Sequence, residues 1–225
     1  MPSWSIHLNI AKKLNKKLKI DKDLFYFGSL VPDVDKDWNI DRHFTHYYGT
    51  KVMKNFPKSF ESDLDKFVEH YNTRLDNPIL LGYFFHLLTD DFYNKYIFRN
   101  KLVMDKDGNF IGYKKYDKSI VYFESYKEFT KIKHDELEDY GRLIFDINDV
   151  RNINNIDKIL LYSQALAFDL NEENIKSRVE YLNNEFVDFN NYENISFELF
   201  SKEELDKLLD DCVKYLVAVI DNFLI

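Results

Sequence analysis

Cysteine is nearly absent from this chain: Cys212 stands alone among 225 residues. One thiol can neither close an internal disulfide nor build a thiolate cluster, so any metal site must draw on His, Asp and Glu. Long apolar runs are missing too. No stretch of about 18 apolar residues occurs, and no transmembrane helix is expected. The opening Met1-Pro2-Ser3-Trp4 lacks a charged region followed by an apolar run. No signal peptide is therefore expected, and the expected location is the cytoplasm. Positive charge is outnumbered, with a formal net charge of −8. An acidic chain gains nothing from counterion release at a phosphate backbone, which argues against a nucleic-acid duplex as partner. There is no Walker-type glycine loop, no dinucleotide fingerprint and no Gly-x-Ser-x-Gly elbow.

What is present is helix-forming and rich in rings. The 20 Phe and 16 Tyr suit the gaps between packed helices. The length fits one domain spanning 1–225. His7, Ile10, Ala11, Leu14 and Leu18 recur every three or four residues and predict an amphipathic helix over 4–18, with His7 on its apolar stripe. A short apolar helix, 24–27, should stop at Gly28, and the Gly28 to Asp35 segment, with Pro32, reads as irregular. Residues from there to Thr50 show no period. A helix is predicted over 58–73. Asn77 and Pro78 form a cap and first turn for a helix over 78–97 that is apolar nearly all round and belongs in the core. Asp107-Gly108 between Leu102-Val103-Met104 and Phe110-Ile111 signals a β-hairpin with a two-residue turn within 101–113. Helices should resume over 119–145, 156–168, 172–185 and 202–224, the last with Ser201 and Glu204 as a capping box. The expected fold is all-α, a multi-helix bundle with a small β-hairpin excursion.

Polar residues inside this apolar pattern carry the chemistry. His86 and Asp90, at i and i+4, share one face of the greasiest helix. A buried aspartate without a partner is expensive. Either a simple His–Asp hydrogen bond or a divalent metal removes that cost. His7 faces the core from the first helix, Asp33 follows Pro32, and His43 and His46 lie three apart. Inward-facing imidazoles and carboxylates of this kind suit a zinc site. His134 and Glu138 repeat the i, i+4 spacing in a more polar stretch, where a solvated helix face competes with a second metal pair.

In order and spacing, Trp4-x-x-His7 with Ile10-Ala11, Gly28-Ser29-Leu30-Val31-Pro32-Asp33, His43-Phe44 and Gly82-Tyr83-Phe84-Phe85-His86-Leu87-Leu88-Thr89-Asp90 resemble the zinc-dependent phospholipase C family, specifically its short, leaderless members. The resemblance implies a helical bundle of the phospholipase C/nuclease type around a zinc centre, and hydrolysis of a phosphate ester, with a lipid headgroup as one form of substrate. It implies His7, Asp33, His43 (or His46), His86 and Asp90 as metal ligands, with Asp33 also as general base and Asp90 as a bridging carboxylate. His134 and Glu138 would match the family's later His-x-x-x-Glu pair. Where the family has a further histidine after His-x-x-x-Asp, this chain has Tyr93, Asn94 and Tyr96, so one or two zinc ions are expected rather than three. Two other readings stand beside this one. One is a non-catalytic, metal-stabilised helical module. The other is an HD-type phosphohydrolase built on the His134-Asp135 doublet.

Overall fold

A computed structural model describes residues 2–34, 40–48, 61–71, 74–144, 153–184 and 195–223. It is mostly helical, 66% helix, with nine α-helices among the described residues and one small antiparallel sheet. The helices are α1 (Trp4–Leu18), α2 (Lys22–Gly28), α3 (Arg42–Thr45), α4 (Leu64–Tyr71), α5 (Pro78–Asn100), α6 (Tyr126–Leu143), α7 (Ile156–Ser163), α8 (Glu172–Asn184) and α9 (Lys202–Phe223). A 3-10 turn, Val31–Val34, follows α2. No helix among the described residues is long and apolar enough to cross a membrane.

The bundle is organised around α5. The Asn77 side chain accepts from the Ile79 N–H at 2.9 Å and starts the helix, with Pro78 in its first turn. Fifteen of its residues, from Ile79 to Ile97, are buried. A helix apolar on every side needs neighbours on every side, and α1, α2, α4, α7 and α9 all pack on it. The crossing with α2 is backbone against backbone. A Cβ on Gly28 would lie 2.2 Å from the Ile79 carbonyl oxygen, and one on Gly82 would lie 2.4 Å from that of Phe25. Neither position has room for a side chain. Helix α1 is pinned to α6, where the Ser3 hydroxyl donates to the Leu137 carbonyl at 3.1 Å.

The hairpin expected within 101–113 is present but larger. Strands β1 (Leu102–Met104) and β2 (Phe110–Lys114) pair antiparallel. They are joined by residues 105–109 rather than by a two-residue turn. The Asp105 carboxylate accepts from the backbone N–H of Asp107 and Asn109, which holds the longer loop together, and Gly108 supplies the positive φ of +85°. A third strand, β3 (Ile120–Tyr122), adds to β2, so the helix expected from 119 starts at Tyr126, capped by Ser125. The β-branched and aromatic Ile120-Val121-Tyr122 takes the open edge of β2. Helix 156–168 stops at Ser163. Beyond it, the Ala167 N–H donates to the Tyr71 hydroxyl at 3.1 Å. Helix 58–73 begins at Leu64; residues 58–60, 72 and 73 lie outside the described residues, as does 224 at the end of α9. Ser201 caps α9 through the Glu204 N–H, while the Glu204 carboxylate turns instead to Lys101 and Tyr96.

Two buried charges tie the segment before α9 to the bundle. Glu136 of α6 accepts from three successive backbone N–H groups, Glu198 and Leu199 at 2.7 Å and Phe200 at 3.0 Å. Lys101 donates to the Leu199 carbonyl at 2.8 Å and pairs with Glu204 at 2.7 Å. The sheet docks on this segment through Tyr113 and Lys115, both on Glu198. Truncating Glu136 strands three N–H groups. Glu136→Ala is therefore expected to lose ~3 kcal/mol of stability, the low end of what three unpaired buried donors cost. Glu136→Gln should lose less. Urea denaturation followed by far-UV circular dichroism measures both.

Candidate metal centre

Four elements converge on one buried point. Helix α1 supplies His7, α5 supplies His86 and Asp90, the 3-10 turn supplies Asp33, and the end of α3 supplies His46. His7, His46, His86 and Asp90 are at most 2% exposed. The close α2–α5 crossing sets the orientation of His86. It brings the Ser29 carbonyl, just past Gly28, to 2.7 Å from His86 Nδ1. A carbonyl only accepts, so Nδ1 carries the proton and the Nε2 lone pair faces the cluster. Tyr83 donates to the Thr45 carbonyl and fixes α3 against α5. His46 is oriented in the same sense. Its Nε2 lies 2.8 Å from an Arg42 guanidinium nitrogen, which can only donate. Nδ1–H is thereby left to donate to the Thr45 hydroxyl at 2.9 Å.

The ligand atoms are spaced for a small cation. Asp33 Oδ1 lies 3.3 Å from His46 Nε2, and Asp33 Oδ2 lies 3.9 Å from His86 Nε2. Asp90 Oδ2 is 3.7 Å from both His46 Nε2 and His86 Nε2. Bonds of about 2.0–2.2 Å to a tetrahedral zinc would set neighbouring ligand atoms about 3.3–3.6 Å apart. The other Asp90 oxygen, Oδ1, lies 3.3 Å from His7 Nε2. His7 stacks on His86 with ring centroids 3.8 Å apart and planes 6° from parallel. His7–His86–Asp90 and Asp33–His46–His86 each bring three donor atoms within 4.8 Å of one another.

The polar bookkeeping fits a cation. His7 Nε2, His86 Nε2 and both Asp90 carboxylate oxygens are buried with no hydrogen-bond partner. A simple His–Asp hydrogen bond would have satisfied His86 and Asp90. They instead sit 3.7 Å apart with both groups orphaned. An imidazole that donates its far N–H to a backbone carbonyl while aiming its lone pair inward is the arrangement of a metal-bound histidine.

Electrostatics set the charge states of His86 and Asp33. Burial, helped by His7, pushes the His86 pKa down to about 3, so its imidazole is neutral. Burial alone would raise the Asp33 carboxyl, but the imidazoles of His86 and His46 and the Arg42 guanidinium hold it well below the usual range. The Trp4 indole N–H donates to Asp33 Oδ2 at 3.0 Å. That indole is itself held edge-on to Tyr181 and under the Arg178 guanidinium. Lys133 of α6 is close enough to act on Asp90 and Arg42, and burial lowers its ammonium pKa.

His43, His134 and Glu138 are not brought to this point. The His43 side chain is exposed and meets the edge of Tyr48. His134 is 65% exposed beside Asp135 at 58%, and Glu138 pairs with Arg42's namesake on α6, Arg142, at 3.1 Å. Sequence spacing left His43 and His46 as alternatives, and the turn of α3 points His46 inward. Trp4 stood in the motif but without a role, and Ser29 likewise. Arg42 and Lys133 carried no signal, because a cation in a mostly charged segment looks like any solvated one.

Comparison with family models, with curated proteins and with solved structures found no match to this chain.

The buried cluster gives the protein a characteristic pH response. His86 titrates near 6.5 when unfolded and near 3 when folded. Between those values the unfolded chain binds more protons, so stability rises with pH. Asp91, beside the cluster, acts oppositely. Burial pushes its pKa from 3.8 to about 7, so the folded chain binds the extra proton and stability falls with pH. The two slopes oppose each other over the shared window, from about 4 to 6.5. Wild-type urea midpoints in chelator should therefore vary little from pH 4.5 to 6.5, whereas those of Asp91→Asn should climb across that range.

Proposed function

We propose that this chain is a zinc-dependent phosphoesterase with a helical bundle of the phospholipase C/nuclease type. The observation that carries the reading is the set of orphaned, inward-facing donor atoms on His7, His86 and Asp90, completed by Asp33 and His46. A bound zinc would supply Lewis-acid charge to a phosphoryl oxygen and to an attacking water.

The protein's own groups do the rest. His86, His46 and Asp90 would hold the cation, and Asp90 turns one oxygen toward His7 and the other toward His46 and His86. Asp33 is the least enclosed of the five, with its side chain 9% exposed, and is the group an attacking water would reach first. A carboxyl held well below its usual pKa is a weak base. Asp33 therefore orients the water more than it removes its proton. The substrate class is a phosphate ester. The adjacent ring pairs Tyr47-Tyr48 and Phe92-Tyr93 offer little exposed apolar rim to a lipid: Tyr47 and Tyr93 are buried, and Tyr48 and Phe92 are half-buried.

One observation favours a second reading, a metal-stabilised module without catalysis: four of the five candidate ligands are at most 2% exposed. The HD-type alternative needs metal at His134-Asp135, and no third ligand joins that exposed doublet among the described residues.

Metal content by plasma mass spectrometry tests the proposal. One or two zinc per chain are expected, lost in His86→Ala and in Asp90→Ala, together with chelator-sensitive hydrolysis of a chromogenic phosphodiester. Zinc bound without hydrolysis would select the structural module. No zinc after loading would sink the metal reading outright.

A further inference from the structure

One cation is already in place among the candidate ligands. A single Arg42 guanidinium nitrogen lies 3.0 Å from Asp33 Oδ1 and 2.8 Å from His46 Nε2. Those are two of the atoms a metal would bind. With its proton on Nδ1, the His46 imidazole has one lone pair at Nε2. That lone pair serves either the guanidinium or a metal, not both. The Arg42 side chain is 26% exposed, whereas His46 is fully buried. The guanidinium therefore reaches the ligands from the solvent side.

We infer that Arg42 is the resident cation of the metal-free centre, that a metal must displace it from His46, and that the displaced guanidinium then binds the oxyanion of the substrate. This rests on the metal reading above and extends it to a specificity-determining residue.

The charge balance supports the exchange. Asp33 and Asp90 contribute two negative charges in a site with three imidazoles. Arg42 pairs directly with one of the two carboxylates, whereas Asp90 has Lys133 only as a charged neighbour and keeps both oxygens without a hydrogen bond. A divalent ion balances both. The guanidinium, no longer needed at His46, keeps Asp33 within reach and has a donor to give away. A phosphoryl oxyanion is the matching acceptor, since the planar guanidinium fork fits phosphate geometry. The same residue thus opposes the metal and favours the anion, so the two ligands are coupled through it.

That gives opposite signs for two ligands on one substitution. Zinc titration by calorimetry should show Arg42→Met binding zinc about 10- to 100-fold more tightly than wild type, the worth of the charge-assisted bonds the metal no longer displaces. The zinc-loaded variant should bind inorganic phosphate about 10-fold or more weakly, by loss of one such bond. A purely structural role would weaken both. Zinc affinity that is unchanged or reduced in a folded Arg42→Met overturns the inference, and so does undiminished phosphate binding. Arg42→Lys, which keeps the charge but not the fork, should fall between the two proteins for both ligands and serves if the methionine variant does not fold; affinities matching wild type for both would overturn the inference. If neither wild type nor variant takes up zinc, the metal reading itself has failed, a result distinct from failure of the role given to Arg42.

Discussion

The hydrogen bond from His86 Nδ1 to the Ser29 carbonyl is the contact on which the centre depends, and two glycines make it possible. Helices α2 and α5 approach until a Cβ on Gly28 or Gly82 would collide with the facing backbone. With any side chain at either position the helices must separate, and Ser29 withdraws from His86. The imidazole would then be free to turn or to change tautomer, and Nε2 would no longer be a fixed lone pair. A packing constraint at one end of α5 thus becomes an electronic constraint one turn later. The same crossing carries the chain into the 3-10 turn that presents Asp33.

The cluster is costly to fold on its own. Each buried polar atom left without a partner costs about 1–3 kcal/mol, and His7, His86 and Asp90 together contribute four such atoms. The apolar sides of α5 and its packed aromatic neighbours offset that cost. Tyr83 and Tyr93 of α5 and Phe67 of α4 are fully buried. A local arrangement that satisfied these groups internally was open to the sequence: a direct hydrogen bond between His86 and Asp90, one turn apart. The fold instead holds them 3.7 Å apart, a separation suited to a cation between them. Conflict between local satisfaction and global fold is expected where function resides.

Legibility from sequence followed how local each determinant is. Helix α5 was readable to within three residues because its start is written in Asn77-Pro78 and its burial in an unbroken apolar composition. His86 and Asp90 stood out as the polar pair within it. His7 was readable from the stripe of α1. The choice between His43 and His46 was not, because α3 is a single turn in a segment without period, and its orientation comes from Tyr83 and Thr45 across the core. Strand β3 was missed for a similar reason. Ile120-Val121-Tyr122 is too short to signal a strand by itself and becomes one only because β2 offers an edge. His134 and Glu138 show the converse. Their spacing copies that of His86 and Asp90, but a helix face becomes a site only when other elements cover it, and α6 turns this face to solvent.

The residue least visible in the sequence is the one that bears most on how the centre would be used. Arg42 precedes His43 in a mixed, charged stretch, and nothing in its neighbours marks it. Its role follows from hydrogen-bond valence: a guanidinium has only donors, and the neutral imidazole of His46 has one acceptor. Placing the two 2.8 Å apart fixes the tautomer of His46 and holds its lone pair toward the cluster, and after His86 and His46 the same guanidinium helps to lower the Asp33 carboxyl. One guanidinium nitrogen therefore sets the direction of the His46 lone pair while it pairs with Asp33. A metal at His46 Nε2 would have to take the lone pair that Arg42 holds, so its uptake there would be a competition between two cations.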